Sequence, residues 1–168
     1  MRVNLKRMEM LPGQKRTVAE DVNGSPEWLA GMQAQFDGRI AVELKIEHTE
    51  YYWVIIGQIS APLRLTCSRC LDEYSRVITG FFERIAVAPD AKVLRETADE
   101  VYLLLEEGSV DLSQAIEETL VLNIPMVPLC REDCSGLCPV CGQNLNHGSC
   151  SCKVETIDPR LEKLRELL

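Results

Sequence analysis

The chain has 168 residues, of which 46% are hydrophobic and 26% are charged, and its formal net charge is −8. A chain of this length can bury a core and has room for one domain with an appendage. Its apolar runs are shorter than the roughly 20 residues that a membrane-spanning helix needs. The N-terminus, MRVNLKRMEM, lacks the continuous apolar segment of a secretory signal. We therefore expect a cytoplasmic protein with no membrane partner.

Weak patterns precede residue 40. Residues 3–5, VNL, favour a short strand near the start of the chain. Ser25 followed by Pro26 has the form of a helix start, with the serine as N-cap and the proline at the first helical position. This pair predicts a short helix that continues to about Gln33.

From residue 40 the apolar side chains recur with period two, which predicts half-buried strands. Residues 40–47 alternate in this way, and residues 51–56 are apolar on both faces, which is typical of a central strand. Residues 48–50 form the hairpin turn between them, with His48 on the surface. Further strands are predicted at residues 63–67, 76–79, 81–87 and 101–105, with Gly80 as a bulge or bend and a polar loop or edge at 88–99.

A helix is predicted to begin at Asp111. Its carboxylate can cap the N–H three residues on, and Gln114 can reach back in a variant of the capping box. Pro125 ends the helix. The apolar stripe comprises Leu112, Ile116 and Leu120.

These elements predict an α+β fold: an antiparallel sheet or partial β-barrel with a covering helix and a C-terminal zinc-knuckle segment. The predicted division is a β-rich α+β domain at 1–125 and a cysteine-rich metal-binding tail at 126–168. A terminal helix in the tail begins at Asp158-Pro159, with three leucines on one face.

Eight cysteines are spaced in three groups. In a reducing compartment clustered cysteine pairs bind metal more often than they form disulfides. The spacing is Cys67-x2-Cys70, then Cys130-x3-Cys134-x3-Cys138-x2-Cys141, then Cys150-x-Cys152.

The knuckle Cys138-Pro-Val-Cys-Gly142 lets two thiolates point at one ion, because the proline stiffens the turn and the glycine permits a left-handed backbone. The closing pair should follow about ten residues later. The predicted first tetrad is Cys138, Cys141, Cys150 and Cys152. Four thiolates leave no open position on zinc, so this site is expected to be structural, and the metal would contribute on the order of 10 kcal/mol to folding.

The remaining four cysteines predict a second metal site that ties the sheet to the tail. They are Cys67, Cys70, Cys130 and Cys134.

Other assignments of the cysteines stay open. Cys67 is also compatible with a small core residue, and Cys70 with a strand cap. Cys130 or Cys134 can enter the first tetrad and leave one cysteine of the C-x-C pair spare. His147 can replace a thiolate, and four thiolates also suit iron or an iron–sulfur cluster.

Catalysis has little support in the sequence. The CSRC pair at Cys67 could serve a thiol enzyme, but Asp72 and Glu73 follow it and would raise the pKa of its thiols. The βαβ setting of a redox C-x2-C is missing, and so are a Ser/His/Asp constellation and a phosphate-binding glycine loop. We expect no enzyme and no small-molecule substrate.

Charge is distributed unevenly along the chain. Residues 1–16 carry five basic side chains against one acid, and residues 96–118 carry eight acids. A net negative charge opposes a general grip on nucleic acid, whereas a basic partner could bind the acidic stretch. Arginines near the strands could contact phosphates locally; they are Arg64, Arg69, Arg76 and Arg84.

Several stretches together resemble the YceD-like family of bacterial and plastid proteins, named for accumulation of large-subunit ribosomal RNA. They are Cys67-Ser-Arg-Cys-Leu71, the helix end Asn123-Ile-Pro125, the run GLCPVCGQNLN and the closing Ile157-Asp-Pro-Arg160. The resemblance extends from about Arg39 onward. It implies a non-enzymatic factor in large ribosomal subunit biogenesis that binds ribosomal RNA or a basic ribosomal protein. The alternative is a zinc-stabilised protein-interaction module unrelated to ribosomes.

Overall fold

The computed structural model describes residues 1–88 and 102–152, which form two compact units. Unit 1 comprises Met1–Leu65 and Tyr74–Met126. Unit 2 comprises Thr66–Glu73 and the chain from Val127 onward. Unit 2 therefore contains a connection between two strands of unit 1 as well as the cysteine-rich tail. The sequence-based division between residues 125 and 126 stays a prediction, and the predicted terminal helix lies outside the described residues.

The described residues form an α+β fold, as predicted, with a mostly antiparallel sheet and one α-helix. The strands are β1 (Arg2–Asn4), β2 (Lys15–Val22), β3 (Ala34–Phe36), β4 (Ile40–His48), β5 (Tyr52–Thr66), β6 (Glu73–Val87), β7 (Tyr102–Leu104) and β8 (Ser109–Asp111). The helix α1 spans Ser113–Asn123, and 3₁₀ turns span Lys6–Met8 and Pro26–Leu29. The main sheet has the order β2-β4-β5-β6-β7 with β3 also paired to β5, and β1 pairs with β8.

The alternation in β4 places its apolar side chains in the core of unit 1. Ile40, Val42, Leu44 and Ile46 are each at most 2% exposed, and the residues between them face solvent. The predicted helix stripe is also confirmed, because Leu112, Ile116 and Leu120 are fully buried.

Two pairs of predicted strands are each one long strand. Residues 51–56 and 63–67 belong largely to β5, and the two segments either side of Gly80 belong to β6. Gly80 is a close approach rather than a bend: a Cβ there would lie 2.7 Å from the Thr119 methyl and 2.6 Å from Asn123 Nδ2. The glycine lets α1 pack directly on the strand.

Local capping predictions were wrong in detail. Helix α1 begins at Ser113, and Asp111 Oδ1 accepts from the Ser113 N–H, only two residues on. Gln114 bonds Glu118 instead of reaching back. The helix predicted after Ser25 is a single 3₁₀ turn without a side-chain cap.

His48 is more enclosed than a surface turn residue. Its ring stacks on Trp53 with centroids 4.5 Å apart, and Nδ1 donates to the Met10 carbonyl at 2.8 Å. The hairpin turn itself is confirmed by the 2.8 Å bond from the Thr49 N–H to the Tyr52 carbonyl.

Strand β7 runs parallel to β6, with Ile85 opposite Tyr102. A parallel pair needs a connection of about a dozen residues or more. The stretch between the two strands is that long, and it includes the loop predicted at 88–99, of which residues 89–99 lie outside the described part of the chain.

Candidate metal centres

Cysteines take the place of a hydrophobic core in unit 2. Across its described residues no large aliphatic or aromatic side chain is buried, whereas Leu71, Val127 and Val140 are 60–64% exposed. The buried side chains among these described residues are Cys67, Cys70, Cys134 and Cys138, each at most 3% exposed. A segment of this composition needs a cross-link of another kind to hold one structure.

The eight sulfurs gather into two groups of four, and within each group all sulfurs lie within 4.8 Å of one another. The groups are Cys67, Cys70, Cys130 and Cys134, here called tetrad A, and Cys138, Cys141, Cys150 and Cys152, here called tetrad B.

The sulfur spacing in tetrad A fits a tetrahedral metal site. The Sγ atoms of Cys67 and Cys134 are 3.7 Å apart, as are those of Cys70 and Cys130. A metal–sulfur bond of about 2.3 Å implies an edge of about 3.8 Å between sulfurs in a tetrahedron. A disulfide would require about 2.05 Å, and all eight cysteines are free thiols. Both tetrads could therefore hold a metal ion.

The two C-x2-C turns share one backbone geometry. In tetrad A the Leu71 N–H donates to the Cys67 carbonyl at 3.0 Å, and in tetrad B the Gly142 N–H donates to the Cys138 carbonyl at 2.9 Å. The residue after the second cysteine is left-handed in both, with φ of 62° at Leu71 and 74° at Gly142. Each turn therefore presents two thiols from a knuckle, although only one of them carries the expected glycine.

Hydrogen bonds within unit 2 join the first knuckle to the tail. The Ser68 N–H donates to the Pro128 carbonyl at 2.8 Å, and the Arg69 guanidinium donates to the Cys134 carbonyl at 2.9 Å. These bonds hold Cys67 and Cys70 against cysteines more than 50 residues further along the chain.

The backbone of each knuckle prepares one thiol to ionise. Burial raises the pKa of Cys67, but N–H groups of Cys70, Cys130 and Arg69 outweigh it and bring that pKa down to about 6. The Asp72 N–H lowers the pKa of Cys70, yet burial and the neighbouring sulfurs raise it to about 12.

Tetrad B repeats this arrangement. The N–H groups of Cys141 and Val140 lower the pKa of Cys138 to about 6. The hydrogen bond of the Cys152 thiol to Cys141, together with partial burial, raises the pKa of Cys152 to about 12.

Tetrad A also contains Cys134, whose pKa is lowered chiefly by the hydrogen bond from Asn146, and Cys130, whose pKa is raised by burial. Each tetrad thus combines thiols of lowered and of raised pKa, and metal binding requires the raised ones to lose their protons.

Polar side chains that the sequence analysis missed surround tetrad A. Asn146 Nδ2 donates to Cys134 Sγ at 3.3 Å, while its Oδ1 accepts from Arg131 at 2.7 Å and from the Ser135 N–H at 2.9 Å. The two asparagines of the QNLN run, at residues 143–146, were the feature of the sequence that could have indicated these polar contacts. By contrast His147 is 78% exposed, lies 3.8 Å from an Asp72 oxygen and joins neither tetrad.

Burial favours a ligand role over a nucleophilic role for the CSRC pair. Cys67 is 0% exposed and Cys70 is 3% exposed, and each sulfur faces another sulfur at 3.7 Å. Reactive thiols are usually partly exposed, so this burial favours a structural role for the pair.

The fold and the two tetrads define a class: an α+β protein whose second unit is organised by thiols with metal-binding geometry. The chain belongs to the YceD family, because the family model described as "Large ribosomal RNA subunit accumulation protein YceD" matches residues 55–168. That family is named for an accumulation factor rather than for an enzyme.

Relatives occur in bacteria and in plastids. An uncharacterized protein of Mycobacterium tuberculosis is 31% identical over 170 residues, which cover 100% of this chain and 81% of that protein. The maize protein "Large ribosomal RNA subunit accumulation protein YCED homolog 1, chloroplastic" is 31% identical over 74 residues, 44% of this chain and 25% of its own length. No solved structure matches the chain. Among the described helices, none has the length and apolar character required to cross a membrane.

Proposed function

We propose that this chain is a non-enzymatic cytoplasmic factor in large ribosomal subunit biogenesis, and that it supports accumulation of large-subunit ribosomal RNA. The observation that carries the proposal is the family match, which includes every cysteine of both tetrads. Two plant relatives bear the same accumulation-protein name.

Each tetrad would bind one structural Zn²⁺. Support comes from the all-thiol donor sets, the 3.7 Å sulfur pairs and the near absence of other buried side chains in the described part of unit 2. When bound, the ion contributes folding free energy and a closed coordination shell rather than a reactive position.

Charge pairing favours a basic ribosomal protein over RNA as the direct partner. Arg64 pairs with Asp37 at 2.7 Å, and Arg84 pairs with Glu118 at 2.7 Å. Arg69 bonds a carbonyl within unit 2. Three of the four arginines near the strands are therefore already engaged, and the net charge of −8 opposes a phosphate backbone.

The acidic stretch is also partly neutralised. Arg2 pairs with Glu106 at 2.7 Å and with Asp111 at 3.8 Å. Glu107 and Glu117 remain as acids of this stretch without an ion-pair partner among the described residues. A basic partner would contact such residual acids and the surfaces beside them.

Deletion and complementation test the role. A strain that lacks the gene should have a lower ratio of large-subunit to small-subunit ribosomal RNA than the wild-type strain. Expression of the wild-type chain should restore that ratio. Cys70→Ser and Cys141→Ser should fail to restore it, whereas the exposed change Ser135→Ala should succeed. A normal ratio in the deletion strain would refute the role and leave the general interaction module.

Affinity capture distinguishes the two partner classes. Tagged protein is captured before and after nuclease treatment, and the bound ribosomal proteins are quantified. We expect basic large-subunit proteins to remain bound after nuclease. Their complete loss with the RNA would overturn the preference for a protein partner.

A further inference from the structure

The outer edge of β2 is an open strand edge in unit 1. β2 pairs with β4 along all eight of its residues, and it stands at the end of the sheet order. No other strand of the described chain pairs with its second side. Its eight residues are exposed except Val18 and Val22, which are half-buried. Such an edge offers a row of backbone N–H and C=O groups to another strand.

The charges along β2 form a self-complementary pattern. Lys15 and Arg16 lie at one end, Glu20 and Asp21 at the other, and three uncharged residues separate them. If a second copy of β2 runs antiparallel with Val18 opposite Val18, Arg16 lies opposite Glu20 of that copy. Lys15 then lies opposite Asp21 of that copy. The two-fold symmetry repeats each pair, so four opposite-charge pairs form.

This alignment also keeps the two cores on one side of a continuous sheet. In the pairing with β4, Arg16 lies opposite Ile46 and Glu20 opposite Val42, so the even-numbered residues of β2 share the face of the buried side chains. Pairing even residues with even residues continues that face across the axis. A shift of two residues in either direction removes every opposite-charge pair, and a parallel arrangement places like charges opposite one another.

We propose that two copies of this chain associate edge to edge through β2, antiparallel, with Val18 on the two-fold axis. The charges argue for a second copy rather than a foreign strand. Arg16 and Glu20 are on the core-side face at the edge, and a strand without complementary charges would leave both without partners. In the outer pair of Lys15 and Asp21, the lysine already bonds Glu47 at 2.9 Å within its own chain. The backbone carbonyl of Asp21 also accepts from Arg39 at 2.7 Å. The inner pair of Arg16 and Glu20 therefore provides the test.

Sedimentation equilibrium of the full metal-loaded chain measures the association. Wild-type protein should show a monomer–dimer equilibrium at about 100 µM. Arg16→Glu and Glu20→Arg should each weaken dimerisation by about tenfold or more, because each places like charges opposite one another twice. An equimolar mixture of the two variants should recover a dimer, since each variant then faces the opposite charge.

The control is Lys45→Glu on β4, which changes the net charge as Arg16→Glu does but lies on the neighbouring strand. It should leave dimerisation at the wild-type level. Recovery in the mixture also shows that both variants fold. The proposal is overturned if the wild type stays monomeric, if the single variants dimerise like the wild type, or if the mixture fails to recover the dimer.

Discussion

If each tetrad holds the proposed zinc ion, its removal should unfold unit 2 while unit 1 stays folded. The core of unit 1 is aliphatic, and its β4 side chains are at most 2% exposed. In the described part of unit 2 the buried side chains are cysteines instead. A structural zinc site contributes about 10 kcal/mol or more to folding. Because every 1.4 kcal/mol is a factor of ten, loss of one ion can lower hydrogen-exchange protection by about 10⁷.

The assay is hydrogen–deuterium exchange with mass spectrometry on reduced protein, before and after treatment with a strong chelator. Peptides from residues 66–73 and 127–152 should lose their protection, and peptides from β4 and β5 should keep theirs. The unit 1 peptides serve as an internal control for general unfolding. Metal analysis should find two zinc ions per chain, and one in Cys70→Ser or Cys141→Ser. Metal-free, reduced protein that keeps its protection at 127–152 would refute the reasoning.

Three further predictions concern local contacts. Gly80→Ala should destabilise unit 1 by roughly 1–3 kcal/mol in denaturant titration, because its Cβ would lie within 2.7 Å of helix α1. Gly142→Ala should weaken zinc binding to tetrad B by about 1 kcal/mol, measured by competition with a zinc indicator, because φ at this position is 74°. The control is Gly148→Ala, whose added Cβ would meet no atom closer than 3.8 Å and should leave zinc binding unchanged. The pKa of Asp37 is lowered mainly by the hydrogen bond from the Ser75 hydroxyl and secondly by Arg64. Because this pKa is lower in the folded state, its stabilisation is present above about pH 4 and is lost as pH falls through the folded value. Unfolding free energies measured from about pH 5 to about pH 2 should therefore fall less steeply for Asp37→Asn than for the wild type, and equal slopes would contradict the assignment.

Local patterns in the sequence predicted the elements whose causes are local. The period-two alternation of residues 40–47 predicted β4, because burial of one face follows directly from strand geometry. The helix stripe at Leu112, Ile116 and Leu120 was also confirmed, because residues three or four apart share one face of a helix and are buried together. The capping predictions at Asp111 and Ser25 failed within a few residues of the chain, whereas another error arose where a distant group decides the outcome. Gly80 was predicted to bend a strand, but the helix packed against it explains the glycine.

The same distinction between local and distant causes applies to the two cysteine tetrads. The knuckle turn at Cys138–Gly142 was predicted because it is formed by five consecutive residues, and the four cysteines of tetrad B lie within 15 residues of one segment. Tetrad A joins Cys67 and Cys70 to cysteines about 60 residues later, so its grouping was only one of several alternatives. That grouping depends on hydrogen bonds such as the one from Arg69 to the Cys134 carbonyl, which no spacing rule contains.

The amino-acid sequence by itself determined the strand and helix faces, the knuckle turns and the family, since each depends on short-range order along the chain. The tertiary structure decided which sulfurs face one another across tetrad A, the parallel pairing of β7 and the open edge at β2. These features come from contacts between residues far apart in the chain, and such contacts form only when the whole polypeptide has found a common packing.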